Sequence, residues 1–379
     1  NATAPLRPAA RAELLASLDL TGNPSSVHSE GRAARRAVER ARAEVAALVA
    51  GEARNATFVA SGTEAANLAL TPHIDDRGSA GPLSRLIVSA GEHSCVLSGH
   101  RFAPAAVETA PLESTGRIDL DVLETLVARA AGGRVALALQ AANNETGVIQ
   151  PVAAAAALVH RIGGIVICDA VQLAGRERCD FAALGADFLL LSGHKLGGPK
   201  GAGALVAASD ALRIAEPLVR GGGQERGLRA GTENVAAIAG FGAAARAALA
   251  DLDAEAERLR ALRDALEGHV LGAAPDAVVF GAGVDRLPNT LCFAIPGVAA
   301  ETLLIGLDLA GFAVSSGAAC SSGKVARSHV LTAMGVEPAL AAGAVRLSLG
   351  WASTAEEAAR FGEAFGRILA PMRRGRSAA

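Results

Sequence analysis

The sequence predicts an α/β fold built on a mostly parallel sheet, with a smaller α+β unit after it. Through residues 56–206, short apolar runs alternate with helical patterns, as repeated strand–helix units do. Those runs are continuously hydrophobic rather than alternating, which strands covered on both faces require. Past about residue 251 the pattern gives way to a long charged helix and scattered strand signals. The larger unit is therefore expected to span 12–251, with 1–11 packing back onto 252–379 to complete the smaller one.

Asn1 to Pro8 reads as an extended lead-in, Arg11 to Leu18 as a short amphipathic helix, and Gly22 to His28 as a polar turn. Arg32 to Val49 reads as a long helix. Its charged residues Arg32, Arg35, Arg36, Glu39, Arg40 and Arg42 mix signs and are expected to form a solvated face, not a nucleic-acid patch. Strands are expected at Ala56–Ala60, Leu86–Ser89, Val107–Ala110, Val135–Leu139, Ile165–Cys168, Phe188–Leu191 and Ala202–Val206. Asp119 is placed to cap the helix that runs to Ala131. In the smaller unit, Val278–Phe280, Thr290–Ala294 and Val345–Leu349 have strand character, and Leu252–Leu266 is a charged helix.

Composition narrows the function classes. A net charge of -2 and a pI near 6.5 give no electrostatic footprint for nucleic acid or anionic lipid. Although 51% of the residues are hydrophobic, no segment has the unbroken apolar length of a membrane span. The opening residues carry no basic-then-apolar leader, and Asn1 in place of Met predicts that residues precede it. Five cysteines without a C-x-x-C pair argue against a metal site or disulfide framework and for a reducing, cytoplasmic setting. With no Tyr and one Trp, a ring stacked on a flat ligand must come from Phe, His or Trp351.

The chemistry-bearing residues cluster at strand ends. Phe188-Leu189-Leu190-Leu191 delivers Ser192-Gly193-His194-Lys195 to a carboxyl edge, where open α/β sheets bind ligands. Lys195, set among apolar residues and glycines, suits a desolvated amine able to form a Schiff base; a surface lysine in a turn is the alternative. Asp169 ends the buried run Ile-Val-Ile-Cys, a costly position unless it meets a cation such as a protonated pyridine nitrogen. Ser61-Gly62-Thr63 opens a helix after a strand, which suits either a phosphate or a plain cap by Ser61. His93 offers a flat ring after another strand, or a helix start. Arg346 lies opposite the core-facing residues of its strand, where its fork suits a carboxylate or a surface salt bridge. Cys320 differs from Cys95, Cys168, Cys179 and Cys292 in lying on a small, polar, loop-like stretch from Ser315 to Gly323, where a thiol can be reached. Two nucleotide-like patterns fail: Gly240-Phe241-Gly242 follows a helical pattern, and Gly317–Lys324 is one residue too long for a P-loop.

Together, Asn23-Pro24-Ser25-Ser26, Glu92-His93, Asn143-Asn144-Glu145-Thr146-Gly147, Asp169-Ala170-Val171-Gln172, the lysine loop, Arg229-Ala230-Gly231-Thr232 and Ser315–Cys320 resemble the cysteine desulfurases of the class V aminotransferase family. The resemblance runs from Asn1 to about Leu369 and implies the fold-type I architecture with a seven-stranded sheet. It implies pyridoxal 5'-phosphate held by Lys195, with Asp169 on the ring nitrogen, Gln172 on the ring hydroxyl and His93 stacked on the ring. Gly62, Thr63, Ser192 and His194 would bind the phosphate, joined by Thr232 from the second subunit of a homodimer. Asn144 would contact cofactor or substrate, and Arg346 with Asn23 would hold the substrate carboxylate. L-cysteine would yield L-alanine and a persulfide on Cys320, passed to an acceptor protein for iron–sulfur cluster or thio-cofactor synthesis. A selenocysteine lyase or a transaminase on the same fold is the neighbouring reading, and a non-catalytic scaffold the distant one; a transaminase has no use for Cys320.

Overall fold

The structure is a computed structural model and describes residues 1–76, 81–130, 132–316 and 327–374. Its centre is a sheet of seven strands in the order Ala56–Val59, Gly203–Ala207, Phe188–Ser192, Ile165–Asp169, Val135–Gln140, Arg85–Ser89, Val107–Ala110. All pairings are parallel except those of Gly203–Ala207, which runs antiparallel to both neighbours. The expected sheet is therefore found, with one reversed strand following the lysine loop. Alternate residues feed two separate cores. Leu189, Leu191, Val166 and Cys168 face one helical layer, while Phe188, Leu190, Ile165 and Ile167 face the other. Double coverage is why these strands read as unbroken apolar runs.

On one face the helices Pro8–Leu18, Ser29–Ala47 and Val235–Ala250 pack closely, and small residues allow it. A β-carbon on Gly242 would lie 2.5 Å from Ala41 Cα, so the glycine that mimics a dinucleotide motif serves helix contact. Arg42 corrects the expectation of a wholly solvated charged face. It is 4% exposed and meets Glu225 at 2.6 and 2.8 Å. Asp119 does cap its helix, accepting from Val122 N at 2.9 Å.

The second sheet has four antiparallel strands, Val278–Val279, Thr290–Ala294, Val345–Ser348 and Ser315–Ser316, in that order. Helices Leu252–Ala273 and Ala355–Arg374 pack together, and Leu259, Leu266, Phe361 and Phe365 join the strands' Phe293, Val345 and Leu347 in one core. Ser315–Ser316 corrects the reading of residues 315–323 as loop throughout: these two serines pair with Arg346 and Val345. A two-residue ribbon, Ile74–Asp75 with Arg213–Ile214, is too short to leave a sequence pattern. Among the described residues, no single helix is long and apolar enough to cross a membrane.

Candidate active site

A cavity of about 330 Å³ opens at the carboxyl edge of the large sheet. Its walls include Gly62, Thr63, His93, Asn144, Asp169, Gln172, Ser192, His194, Lys195 and Arg346, all singled out from sequence. Of the other three, Asn23 and Thr232 do not line it. Both are exposed, and Asn23 Oδ1 is engaged by Ser25 N at 2.9 Å. Cys320 lies outside the described residues.

The lysine loop is held from beneath. After Ser192 the chain makes a short 3-10 turn over Gly193–Lys195, closed by Leu196 N on Gly193 O at 3.2 Å and Gly198 N on the same oxygen at 2.9 Å. Arg176 Nη2 donates to Lys195 O at 2.8 Å, and Arg7 Nε to Leu196 O at 2.9 Å. Gly197 has φ +88°, and a β-carbon there would come within 2.6 Å of Arg7 Cγ, so only glycine lets the clamp close. Lys195 Nζ donates to Ala2 O at 2.8 Å. The lead-in is thus part of the site, with Ala2 and Thr3 in the cavity wall.

Asp169 accepts from Val171 N at 2.9 Å, yet burial pushes its carboxyl up to about 6 despite that bond and the nearby Lys195 cation. A buried acid so placed favours a cationic partner in the cavity. Beside it Glu92 is wholly buried, and burial and the Asp169 charge raise its carboxyl well above the ordinary range. Its Oε1 accepts from Gln140 N at 2.6 Å.

His93 begins a short helix, accepting from Cys95 N through Nδ1 at 3.1 Å, which leaves its proton on Nε2. Burial, with Lys195 and His329 nearby, lowers its pKa. Burial and the Lys195 charge likewise take His194 down to about 4, and its Nδ1 meets Thr3 Oγ1 at 3.0 Å. Both rings are therefore neutral at pH 7. Cys95 also reaches the wall, but burial holds its thiol at about 12, which fits the inert role expected of it.

Ser61 caps the helix: its hydroxyl accepts from Glu64 N at 3.1 Å, and Glu64 Oε2 takes Ala60 N at 2.8 Å. The first-turn N–H groups of Gly62 and Thr63 remain for a ligand. Arg346 is 7% exposed and reaches Asn144 O at 2.5 Å; it makes no ion pair among the described residues, and its Nε has no partner. A guanidinium at the cavity wall without a carboxylate partner among the described residues suits a ligand carboxylate.

These residues fit pyridoxal phosphate: an amine, an acid short of a cation, and a helix start with unused N–H groups meet in one cavity. They define the fold-type I class of pyridoxal-phosphate enzymes. The chain belongs to the aminotransferase class-V family, whose model matches residues 1–361. It is 42% identical to a cysteine desulfurase of Cereibacter sphaeroides, over 98% of this chain and 95% of that one. It is 38% identical to an IscS-like cysteine desulfurase of Mycobacterium tuberculosis, over 93% and 90%. Among solved structures, a NifS-like protein from Rickettsia africae ESF-5 superposes with a TM-score of 0.87 at 34% identity, covering 97% of both chains.

Sequence reasoning passed over Ala2, Thr3, Gln140 and Arg176. The first three are ordinary in type, and the topology alone carries them to the cavity. Arg176 follows a glycine in a turn, where arginine usually points to water.

Proposed function

We propose that this chain is a pyridoxal-phosphate-dependent cysteine desulfurase that converts L-cysteine to L-alanine and holds the sulfur as a persulfide on Cys320. The observation that carries the reading is that Lys195, Asp169 and Arg346 share one cavity, in a chain whose relatives are cysteine desulfurases. When bound, the coenzyme supplies an electron sink for the pair released as the substrate's α-proton leaves.

The protein's own groups do the rest. Asp169 would keep a proton on the ring nitrogen, Gln172 would meet the ring hydroxyl, and His93 would offer its ring to the coenzyme. Gly62, Thr63, Ser192 and His194 would hold the phosphate, with Thr232 supplied across a homodimer interface. Arg346 takes the substrate carboxylate and Asn144 lies beside it; Asn23 is assigned as its helper on the resemblance alone. Lys195 Nζ moves the α-proton, and its contact with Ala2 O orients it. Cys320 thiolate then attacks the substrate sulfur. The C–S pair stays on carbon, which takes up a proton to become alanine, and an S–S bond forms on Cys320.

An acceptor protein in iron–sulfur cluster or thio-cofactor synthesis would take that sulfur. We divide the chain into a coenzyme domain, 12–251, and a small domain, 1–11 with 252–379. The Arg7–Glu255 pair at 2.8 Å and Trp351 Nε1 on Pro5 O at 2.8 Å support joining the lead-in to the second. Free thiols at Cys95, Cys168, Cys179 and Cys292 support a reducing cytoplasm. The test is Cys320→Ser. It should bind the coenzyme normally and form neither persulfide nor sulfide from L-cysteine; sulfide release at the wild-type rate would overturn the proposal.

A further inference from the structure

We infer that Arg176 is a positioning residue that sets two coenzyme-facing groups, Gln172 and Lys195, through one guanidinium. The inference rests on the reading above, in which those two residues meet the coenzyme.

Arg176 is absent from the cavity wall and acts from behind it. The chain after Asp169 coils through one helical turn, with Ala174 N on Ala170 O at 2.9 Å and Arg176 N on Leu173 O at 3.0 Å. Gly175, at φ +76°, then reverses the chain, and the Arg176 side chain returns to Gln172. Its Nη1 donates to Gln172 O at 2.7 Å and to Gln172 Oε1 at 3.2 Å, while Nη2 donates to Lys195 O at 2.8 Å.

A guanidinium has donors and no acceptor, so the Gln172 amide must turn its oxygen toward Arg176. Nε2 is then the atom left to meet an oxygen on the coenzyme ring. Without the guanidinium, either face of that amide could turn to the ligand, and half of those orientations would set oxygen against oxygen. The second nitrogen fixes the peptide carbonyl of Lys195, from which the reactive side chain springs. A planar fork spans two segments in one fixed geometry, and a lysine ammonium cannot do the same.

Arg176 is only 7% exposed. Burial lowers its pKa to about 10, with Glu255 opposing and Arg7 and Arg346 adding to that effect, so it remains a cation at neutral pH. Taking an arginine out of water is costly unless its donors are used, and here the fork spends them on the two coenzyme-facing segments.

The experiment measures coenzyme dissociation constants by titrating coenzyme-free full-length protein with pyridoxal phosphate, and records visible circular dichroism of the bound coenzyme. The variants are Arg176→Met, Arg176→Lys, Gln172→Ala and the Arg176→Met/Gln172→Ala double. Arg176→Met should weaken coenzyme binding about 10-fold and change the visible dichroism, as loss of hydrogen bonds from a charged donor does. Arg176→Lys should recover part of both. The double variant should fall well short of the product of the single effects, because one residue acts through the other. Should Arg176→Met fail to fold, Arg176→Lys carries the test, with a loss of about 3-fold and an altered dichroism. Unchanged affinity and dichroism in the folded Arg176 variants, or fully multiplying effects, would overturn the inference. Wild-type protein that takes up no coenzyme at all would instead overturn the reading beneath it.

Discussion

Glu225 is a buried carboxylate and Asp169 a half-buried one at a cavity wall, and the protein treats them in opposite ways. Glu225 meets Arg42 through both oxygens, at 2.6 and 2.8 Å, and takes Phe58 N as well at 2.8 Å. That closure holds Glu225 and Arg226 at φ 46° and 56°, backbone states that side chains other than glycine rarely adopt. Asp169 receives Val171 N and feels Lys195 nearby, yet burial still leaves its carboxyl at about 6. A charge matched inside the chain is structural; one left short of a partner at a cavity wall is set for a ligand.

The contrast can be broken from either side. Lys195→Ala should lower turnover on the order of 10²- to 10⁴-fold, the range for losing a positioned base, measured as alanine formed per coenzyme bound. Arg42→Met should instead cost about 3–5 kcal/mol of folding stability by stranding Glu225, read from denaturant unfolding. Turnover per folded site should stay within about 3-fold, since Arg42 lies outside the cavity lining.

Asp169→Asn sharpens the same point through pH. In coenzyme-free protein the folded carboxyl holds its proton up to about 6, against an ordinary value of 3.8. A raised acid contributes its stability below the lower value and loses it as pH rises through the upper one. The variant should therefore gain on wild type in thermal unfolding as pH climbs from 4 to 6, and the gap should level off above that. On the proposed function the same variant should lose turnover, because the ring nitrogen would lose its counter-charge. The smallest effect is expected at the phosphate end. Ser61→Ala should cost about 1 kcal/mol through the lost cap, with only a modest loss of coenzyme affinity.

What the sequence made legible follows from which forces are local. Unbroken apolar runs announced the parallel sheet, and the residues at their ends announced the cavity, because strand direction alone decides where those ends meet. Asp169, Lys195 and His93 were readable for that reason. Arg42 was not: helical spacing puts it among solvated arginines, and only the distant turn at Glu225 takes it inside. Ala2 and Thr3 were invisible for a related cause. Their place in the wall depends on Arg7 being pinned by Glu255 and Leu196 O, contacts far apart in the chain.

The central claim is that Lys195 carries an aldehyde coenzyme in a cavity whose acid balances the ring's charge. Purified protein incubated with pyridoxal phosphate, reduced with borohydride, digested and mapped by mass spectrometry tests it most directly. A visible absorption band before reduction, and a pyridoxyl group on Lys195 afterwards, are predicted. Colourless protein with Lys195 unmodified, or a label on Lys200 instead, would contradict the account.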